Sequence, residues 1–421
     1  MTAYSPDPAC AARMDAEDPL AKWRDQFHIP LHSDGTPCIY LCGNSLGLQP
    51  VTARAAVMQE LEDWQRLGVE GHFHAHNPWL PYHEFLAGPL ARIAGAQPGE
   101  VVAANSLTVN LHLLMVSFYR PTRERYKILI EKDAFPSDRY AVDSQIRFHG
   151  FDPADALIAL GPRPGEKLLR DEDILDLIAR EGDSIALIMM GGVNYYTGQL
   201  FDMAAIAAAG HAKGCTIGFD LAHAAGNVPL RLHDWNVDFA CWCSYKYLNS
   251  GPGSIGGFFV HERFARDSGL PRFCGWWGND QETRFKMGPE FNPIPGAEGW
   301  QLSNPPILSL AAVKASLEIF DAAGMAALRE KSLKLTSYLE YLLTQWCAEK
   351  IAIMTPKEPA RRGCQLSLIA PGGRTAFEAL MRAGVICDWR EPDCIRIAPV
   401  PLYNSFSDVY RFARILAQEA A

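Results

Sequence analysis

The chain of 421 residues predicts an α/β fold: a large domain on a mostly parallel sheet with helices on both faces, then a smaller α+β domain. Three observations carry this. Apolar runs of strand length alternate with helical patterns through the middle of the chain. A proline-dense stretch at 289–306 precedes one long helical pattern. Residues 350–421 then return to short strands and helices.

The elements follow in order. Residues 1–36 form an arm, with a short helix expected at 16–27. Between Thr52 and Gly68, Val57, Leu61 and Trp64 recur at helical spacing, until Gly68 and Gly71 break the pattern. Asn105-Ser106-Leu107-Thr108-Val109-Asn110 opens a further helical pattern. The runs 126–131, 184–190, 215–220, 238–243 and 256–261 read as buried strands, with helices at 172–181 and 203–213 between some of them. The helical stretch 307–346 is broken at Gly324. Strands at 365–369 and 395–399 and a helix from Ser407 complete the chain. The expected division is an N-terminal arm, 1–45, joining the small domain, a large domain, 46–310, and a connecting helix with the small C-terminal domain, 311–421.

Composition narrows the functions. Hydrophobic content of 48% and charged content of 21% are ordinary for a soluble enzyme. The net charge of −9 argues against nucleic acid or an anionic membrane as partner. The 11 cysteines are scattered without a framework, so reduced thiols and a cytoplasmic setting are expected. The first residues lack a basic segment followed by an apolar one, so no signal peptide is expected. No apolar run of about 18 residues occurs, so no membrane span is expected.

Chemistry concentrates at two strand ends. Asp220 closes the run 215–220, and Lys246 follows the run 238–243. Ligands of parallel sheets bind beyond such ends. An amine to hold an aldehyde and an acid to hold a ring nitrogen are what pyridoxal phosphate requires. Trp242, Tyr245 and Tyr247 are bulky enough to desolvate the amine. Asp220 also fits a helix cap before Leu221-Ala222-His223, which is compatible with the first role. His223 fits either a place beside the ring or the core. The helix start at 105–110 fits a phosphate cradle or an ordinary cap. Phe135, in Phe135-Pro136-Ser137-Asp138, fits stacking on a ring or closing the core. Arg396 lies in an apolar β-like run, where a guanidinium must be paired, either by a substrate carboxylate or by a structural salt bridge.

Other motifs are set aside. Gly251-Pro252-Gly253-Ser254-Ile255-Gly256 matches a dinucleotide fingerprint in letters but leads into a strand. His72-Phe73-His74-Ala75-His76 would place alternate histidines on one side of a strand. It has no further ligand at convincing spacing, so no metal is expected. Cys241-x-Cys243 lacks a second pair.

Together the motifs resemble the kynureninase family, within the aminotransferase-like, fold type I, pyridoxal phosphate enzymes. The matching segments are 41–50, 107–112, Phe135-Pro136-Ser137-Asp138, Tyr196-Thr197-Gly198-Gln199, 218–223, 238–249, 303–308 and 396–406. They span nearly the whole chain and are specific only in combination. The resemblance implies a seven-stranded-type sheet in the large domain and a homodimer with shared active sites. Lys246 should carry the cofactor, Asp220 bind the pyridine nitrogen, and His223 lie nearby. Leu107, Thr108 and Tyr245 should hold the cofactor and its phosphate. Phe135 should stack on the ring, with Asp138 in the same shell. Trp276 and Asn304 match positions reaching the site across the dimer interface. Arg396 should hold the α-carboxylate, and Ser45 and His72 should line the aromatic end. The implied reaction is hydrolysis of kynurenine or 3-hydroxykynurenine to anthranilate or 3-hydroxyanthranilate plus alanine, in tryptophan degradation or NAD biosynthesis. Lys246 would move the α-proton and Tyr245 act as an acid. His72 and Asn304 together resemble the pattern that favours the 3-hydroxylated substrate. One departure is Gly191, where some relatives carry a serine that contacts the cofactor. The rival readings are a cysteine desulfurase or aminotransferase of the same fold, a metal-dependent hydrolase, and a non-catalytic binding protein.

Overall fold

A computed structural model describes residues 4–267, 269–348, 350–370 and 373–419. Its centre is a seven-stranded sheet: β1 (Val101–Ala103), β2 (Lys127–Glu131), β3 (Leu157–Leu160), β4 (Ile185–Gly191), β5 (Thr216–Asp220), β6 (Phe239–Trp242) and β7 (Gly257–Val260). The spatial order is β1-β7-β6-β5-β4-β2-β3. Only β7 runs antiparallel to its neighbours.

Strand periodicity explains why these runs are apolar throughout. Successive side chains point to opposite faces. Leu129, Ile188, Met190, Ile217 and Phe219 enter one core, while Ile128, Ile130, Leu187 and Met189 enter the other. Both faces are covered, so both sets must be apolar. Each fully buried aliphatic side chain stabilises the fold by roughly 1.5–3 kcal/mol.

The second half of the chain builds another core. Helix Ile307–Ala323 buries Leu310, Val313 and Leu317 in the larger core. Gly324, at φ 78°, then breaks the helix, and Met325–Cys347 buries Leu335, Leu339 and Leu342 in a separate cluster. That cluster covers a four-stranded sheet of Ala352–Ile353, Leu366–Ile369, Cys394–Ile397 and Asp388–Arg390, in this spatial order. Cys10, Met14, Ile39 and Leu41 join the same cluster. Asp18 and Lys331, both buried, form an ion pair at 2.7 Å that ties the arm to the long helix.

Two local expectations change. The arm's helix is Pro8–Ala16, started by Asp7, whose carboxylate accepts from the Ala9 amide, with Pro8 at the first turn. Residues 21–26 form only a 3-10 turn. His72 and His74 lie in the helical turn Gly71–His74, so alternate residues there do not share a side. Among the described residues no helix is long and apolar enough to cross a membrane. All eleven cysteines are free thiols.

Candidate active site

The parallel strands deliver their carboxyl ends to one cavity. β2, β4, β5 and β6 are neighbours in the sheet, and Glu131, Gly191, Asp220 and Cys243 lie at or just past their ends. All four line one small cavity of about 170 Å³. Ser106, Leu107 and Thr108 bring the start of the helix Leu107–Phe118 to the same cavity. Phe135 and Asp138 enter from the start of the helix Pro136–Phe148, and Tyr245 and Lys246 from the loop after β6.

Eight of the expected residues therefore meet: Leu107, Thr108, Phe135, Asp138, Asp220, His223, Tyr245 and Lys246. The Lys246 ammonium lies 3.0 Å from His223 Nε2 and within 6 Å of the Phe135 and Tyr245 ring centres, at 5.8 and 5.9 Å. Burial pushes His223 well below the usual imidazole range, and the nearby Lys246 charge adds to this. The ring is therefore neutral and its Nε2 accepts from Lys246. Asp138 and Asp220 face each other closely enough to share a proton. Burial raises both. Asp220 keeps its charge better, because the Ala222 amide donates to it at 2.7 Å. Burial also raises the Tyr245 phenol, so it stays protonated.

Glu131 and Tyr195 are among the cavity residues outside the expected set. Glu131 is buried and accepts from the Gly191 amide at 3.1–3.2 Å. Tyr195 packs edge-on against Phe135 at 5.2 Å. Glu131 carries the same signal as Asp220, an acid closing an apolar strand. The Gly191 amide is already engaged by Glu131.

The remaining expected residues lie elsewhere. Arg396 is buried, and its guanidinium bonds Asp388 and the Tyr195 carbonyl, leaving Nε unpartnered. Ser45 lies two residues before Gly47, whose amide donates to the Tyr245 carbonyl at 2.8 Å. Asn304 lines a neighbouring hollow that shares Ser106 with the cavity. Trp276 is half-exposed, and His72 packs edge-on against Trp79 at 5.5 Å. None of these five lines the cavity.

The donor set fits pyridoxal phosphate. Asp138 and His223 line the cavity, and Asp138 Oδ1 and His223 Nδ1 are buried with no partner in the chain. A 12-residue helix aims its amino terminus at the cavity, a favourable place for a phosphate. The glycines at 251–256 form a turn before β7, with φ 92° at Gly251 and 67° at Gly253.

Sequence comparison decides the family. The chain is 64% identical over 405 residues to a kynureninase of Koribacter versatilis, covering 96% of each chain. It is 60% identical over 411 residues to a kynureninase of Myxococcus xanthus, covering 97% of this chain and 96% of the relative. The chain belongs to the kynureninase family. A profile described as the kynureninase C-terminal domain also matches residues 328–416. Solved structures show the wider fold. A C-DES variant with glycine covalently linked to its PLP cofactor superposes with a TM-score of 0.76 at 18% identity, covering 93% of this chain and 98% of that one. A cysteine desulfurase from Thermococcus onnurineus gives 0.75 at 16% identity, covering 94% and 97%. At such identity the likeness concerns the fold alone. The site geometry of this kynureninase-family chain is therefore read from its own residues.

Proposed function

We propose that the protein is a pyridoxal phosphate-dependent hydrolase. It cleaves the β–γ carbon–carbon bond of L-kynurenine or 3-hydroxy-L-kynurenine, giving anthranilate or 3-hydroxyanthranilate and L-alanine. The near full-length 64% identity to a kynureninase carries this reading. The cavity joining Lys246, His223, Asp220 and Asp138 supports it.

Bound at Lys246, the cofactor supplies the electron sink that makes the substrate's α-proton acidic. The chain's residues do the rest. Asp220 would hold the ring nitrogen, and Phe135 would pack on the ring. Ser106, Thr108 and the amino-terminal amides of the helix hold the phosphate. Lys246 would hold the cofactor and, once its amine is free, would take the substrate's α-proton, while neutral His223 accepts one of its hydrogens and fixes its position. Arg396, which lies outside the cavity lining and is held by Asp388 and the Tyr195 carbonyl, would have to exchange one of these partners to receive the α-carboxylate. Water's oxygen ends in the carboxylate of the aromatic product, and the freed β-carbon takes a proton from Tyr245. A Tyr245→Phe variant should turn over about 10²-fold more slowly; unchanged turnover removes Tyr245 from this role.

The reading extends to a homodimer with shared sites and a cytoplasmic setting, supported by the free thiols for the latter. Trp64, on the apolar stripe of helix Ala53–Leu67, is 62% exposed, as are, in part, Phe73, Trp276 and Leu308. The family resemblance implies that a second copy, covering these side chains, supplies its His72, Trp276 and Asn304 to this cavity. His72 and Asn304 there would favour the 3-hydroxylated substrate, which a comparison of kcat/KM on the two substrates decides. We place the division of the chain into two units at Gly324, with residues 1–45 packing partly on the smaller unit, because helix Ile307–Ala323 buries its apolar face in the larger core.

The test offers kynurenine, 3-hydroxykynurenine and cysteine to the protein and follows aromatic acid, alanine and sulfide. Aromatic acid with equimolar alanine is expected. Sulfide from cysteine without kynurenine cleavage overturns the reading. Mixing inactive Lys246→Ala with Asn304→Ala protein should restore activity above either parent, and no restoration argues against sharing.

A further inference from the structure

Glu131 has no part in the chemistry above, yet its carboxyl is buried in the wall of the cavity. Its surroundings define a task. The side chain ends β2, and the next residues carry Phe135 and Asp138 into the site. It reaches sideways to the amide of Gly191 at the end of β4, accepting with both oxygens at 3.2 and 3.1 Å. Gly191 is the register partner of Asp220, and the Gly192 amide donates to the Asp220 carbonyl at 2.8 Å. Beyond Gly192 the chain delivers Tyr195 against Phe135. A second link crosses the same gap, from Asn194 Nδ2 to the Asp133 carbonyl at 3.3 Å.

The fit around this contact is close. A Cβ at Gly191 would come within 2.8 Å of Glu131 Oε1, so the glycine leaves room for the carboxyl to reach the amide.

We propose that Glu131 is a positioning residue of the active site: it clasps the loops after β2 and β4 and so holds Phe135, Asp138 and Tyr195 in register with Asp220 around the cofactor. This rests on the pyridoxal phosphate reading. The groups facing the clasp are Asp138 from its helix, Asp220 from β5, the amides of Gly191 and Asn194 from β4 and its loop, and Lys246 and His223 across the cavity. Burial pushes Glu131 up to about 7, with Asp220 adding to the rise and the Gly191 amide opposing it. The clasp is therefore also an ionisable group in the working pH range, coupled to the two carboxyls of the ring-binding wall.

The test uses the full-length protein and two variants, Glu131→Gln and Glu131→Ala. Apo protein is titrated with pyridoxal phosphate, and affinity is read from the visible absorbance of the lysine-bound cofactor. Glu131→Gln keeps the length and an acceptor for the Gly191 amide, so its affinity should stay within about threefold of the parent. Glu131→Ala removes the clasp and should bind the cofactor about tenfold more weakly or worse, with circular dichroism unchanged. The visible band and kcat/KM are then followed from pH 5.5 to 9. The parent should show an inflection near pH 7 that Glu131→Gln lacks and Glu131→Asp restores, displaced. A Glu131→Ala protein with parental affinity and a parental pH profile overturns the inference. A parent that never forms the lysine-bound band overturns the functional reading instead.

Discussion

Glu100 and Glu131 are both buried glutamates at strand ends of one sheet, and they are treated in opposite ways. Glu100 precedes β1, at the edge remote from the cavity. Its oxygens accept from the Gln97 amide at 2.8 Å, the Glu262 amide at 2.8 Å and His233 Nδ1 at 2.9 Å. His261 stacks on His233 at 5.0 Å and closes the cluster. This group has the spacing to hold a metal, while in the chain His233 Nδ1 bonds Glu100 and His261 Nδ1 accepts from the Arg263 amide. Glu131, by contrast, receives the Gly191 amide, has the Asn194 side chain near, and lies beside the carboxyls of Asp220 and Asp138. Beside it, Asp138 Oδ1 has no partner. A buried acid whose lone pairs are filled by its own chain fastens turns together. Acids left crowded and under-supplied with donors keep their capacity for a ligand.

The largest effects should separate the two regions. Asp220→Asn should lower kcat/KM on kynurenine by about 10²–10³-fold with little loss of stability. Glu100→Gln should cost about 2–4 kcal/mol of stability, because it leaves buried donors unmatched. The folded fraction should keep its kcat/KM. Denaturant unfolding beside steady-state kinetics reads both, and comparable losses in one assay would erase the distinction.

A second prediction concerns pH. Glu131 titrates higher in the folded chain than in the unfolded one, so the native state holds its proton more tightly. Its contribution to stability therefore declines as pH rises from the unfolded value through about 7. Ligand-free Glu131→Gln, which never ionises, should exceed the parent by on the order of 3 kcal/mol at pH 8 and match it near pH 4. A variant that gains nothing at pH 8 would show that the carboxylate is not strained.

The smallest effect should have the opposite sign. The hydrogen bond to Glu100 raises His233, so its stabilisation is full below the unfolded histidine value and is lost as pH rises through the folded one. Because the side chain is partly exposed, His233→Gln should cost at most about 1 kcal/mol at pH 5.5 and less at pH 9. A cost that grows with pH would contradict the assignment.

Much of the site was readable because its markers are local. Asp220 and Lys246 stand out where apolar strands stop, and the helix start at 105–110 is written in adjacent residues. Glu131 obeys the rule that exposed Asp220 but was read only as a strand end, since nothing local shows that Gly191 lies across from it. The histidine run misled for a related reason. Alternation in letters resembles a strand, yet Gly71 starts a helical turn that the letters also permit. The helix expected at 16–27 failed because Asp7-Pro8 starts a helix earlier, a stronger local signal than the pattern after it.

Periodicity, strand ends and turn residues act over a few positions. The sequence by itself therefore determined the alternating α/β order, the break at Gly324 and the pairing of Asp220 with Lys246 across neighbouring strand ends. The tertiary structure alone decided which groups those residues meet. It paired Arg396 with Asp388, left Asp138 facing Asp220, set Glu131 against Gly191, and kept His72, Trp276 and Asn304 out of their own chain's cavity. Protonation and pairing depend on burial and on neighbours far away in the chain, and those are fixed only when the sheet closes and buries its edges.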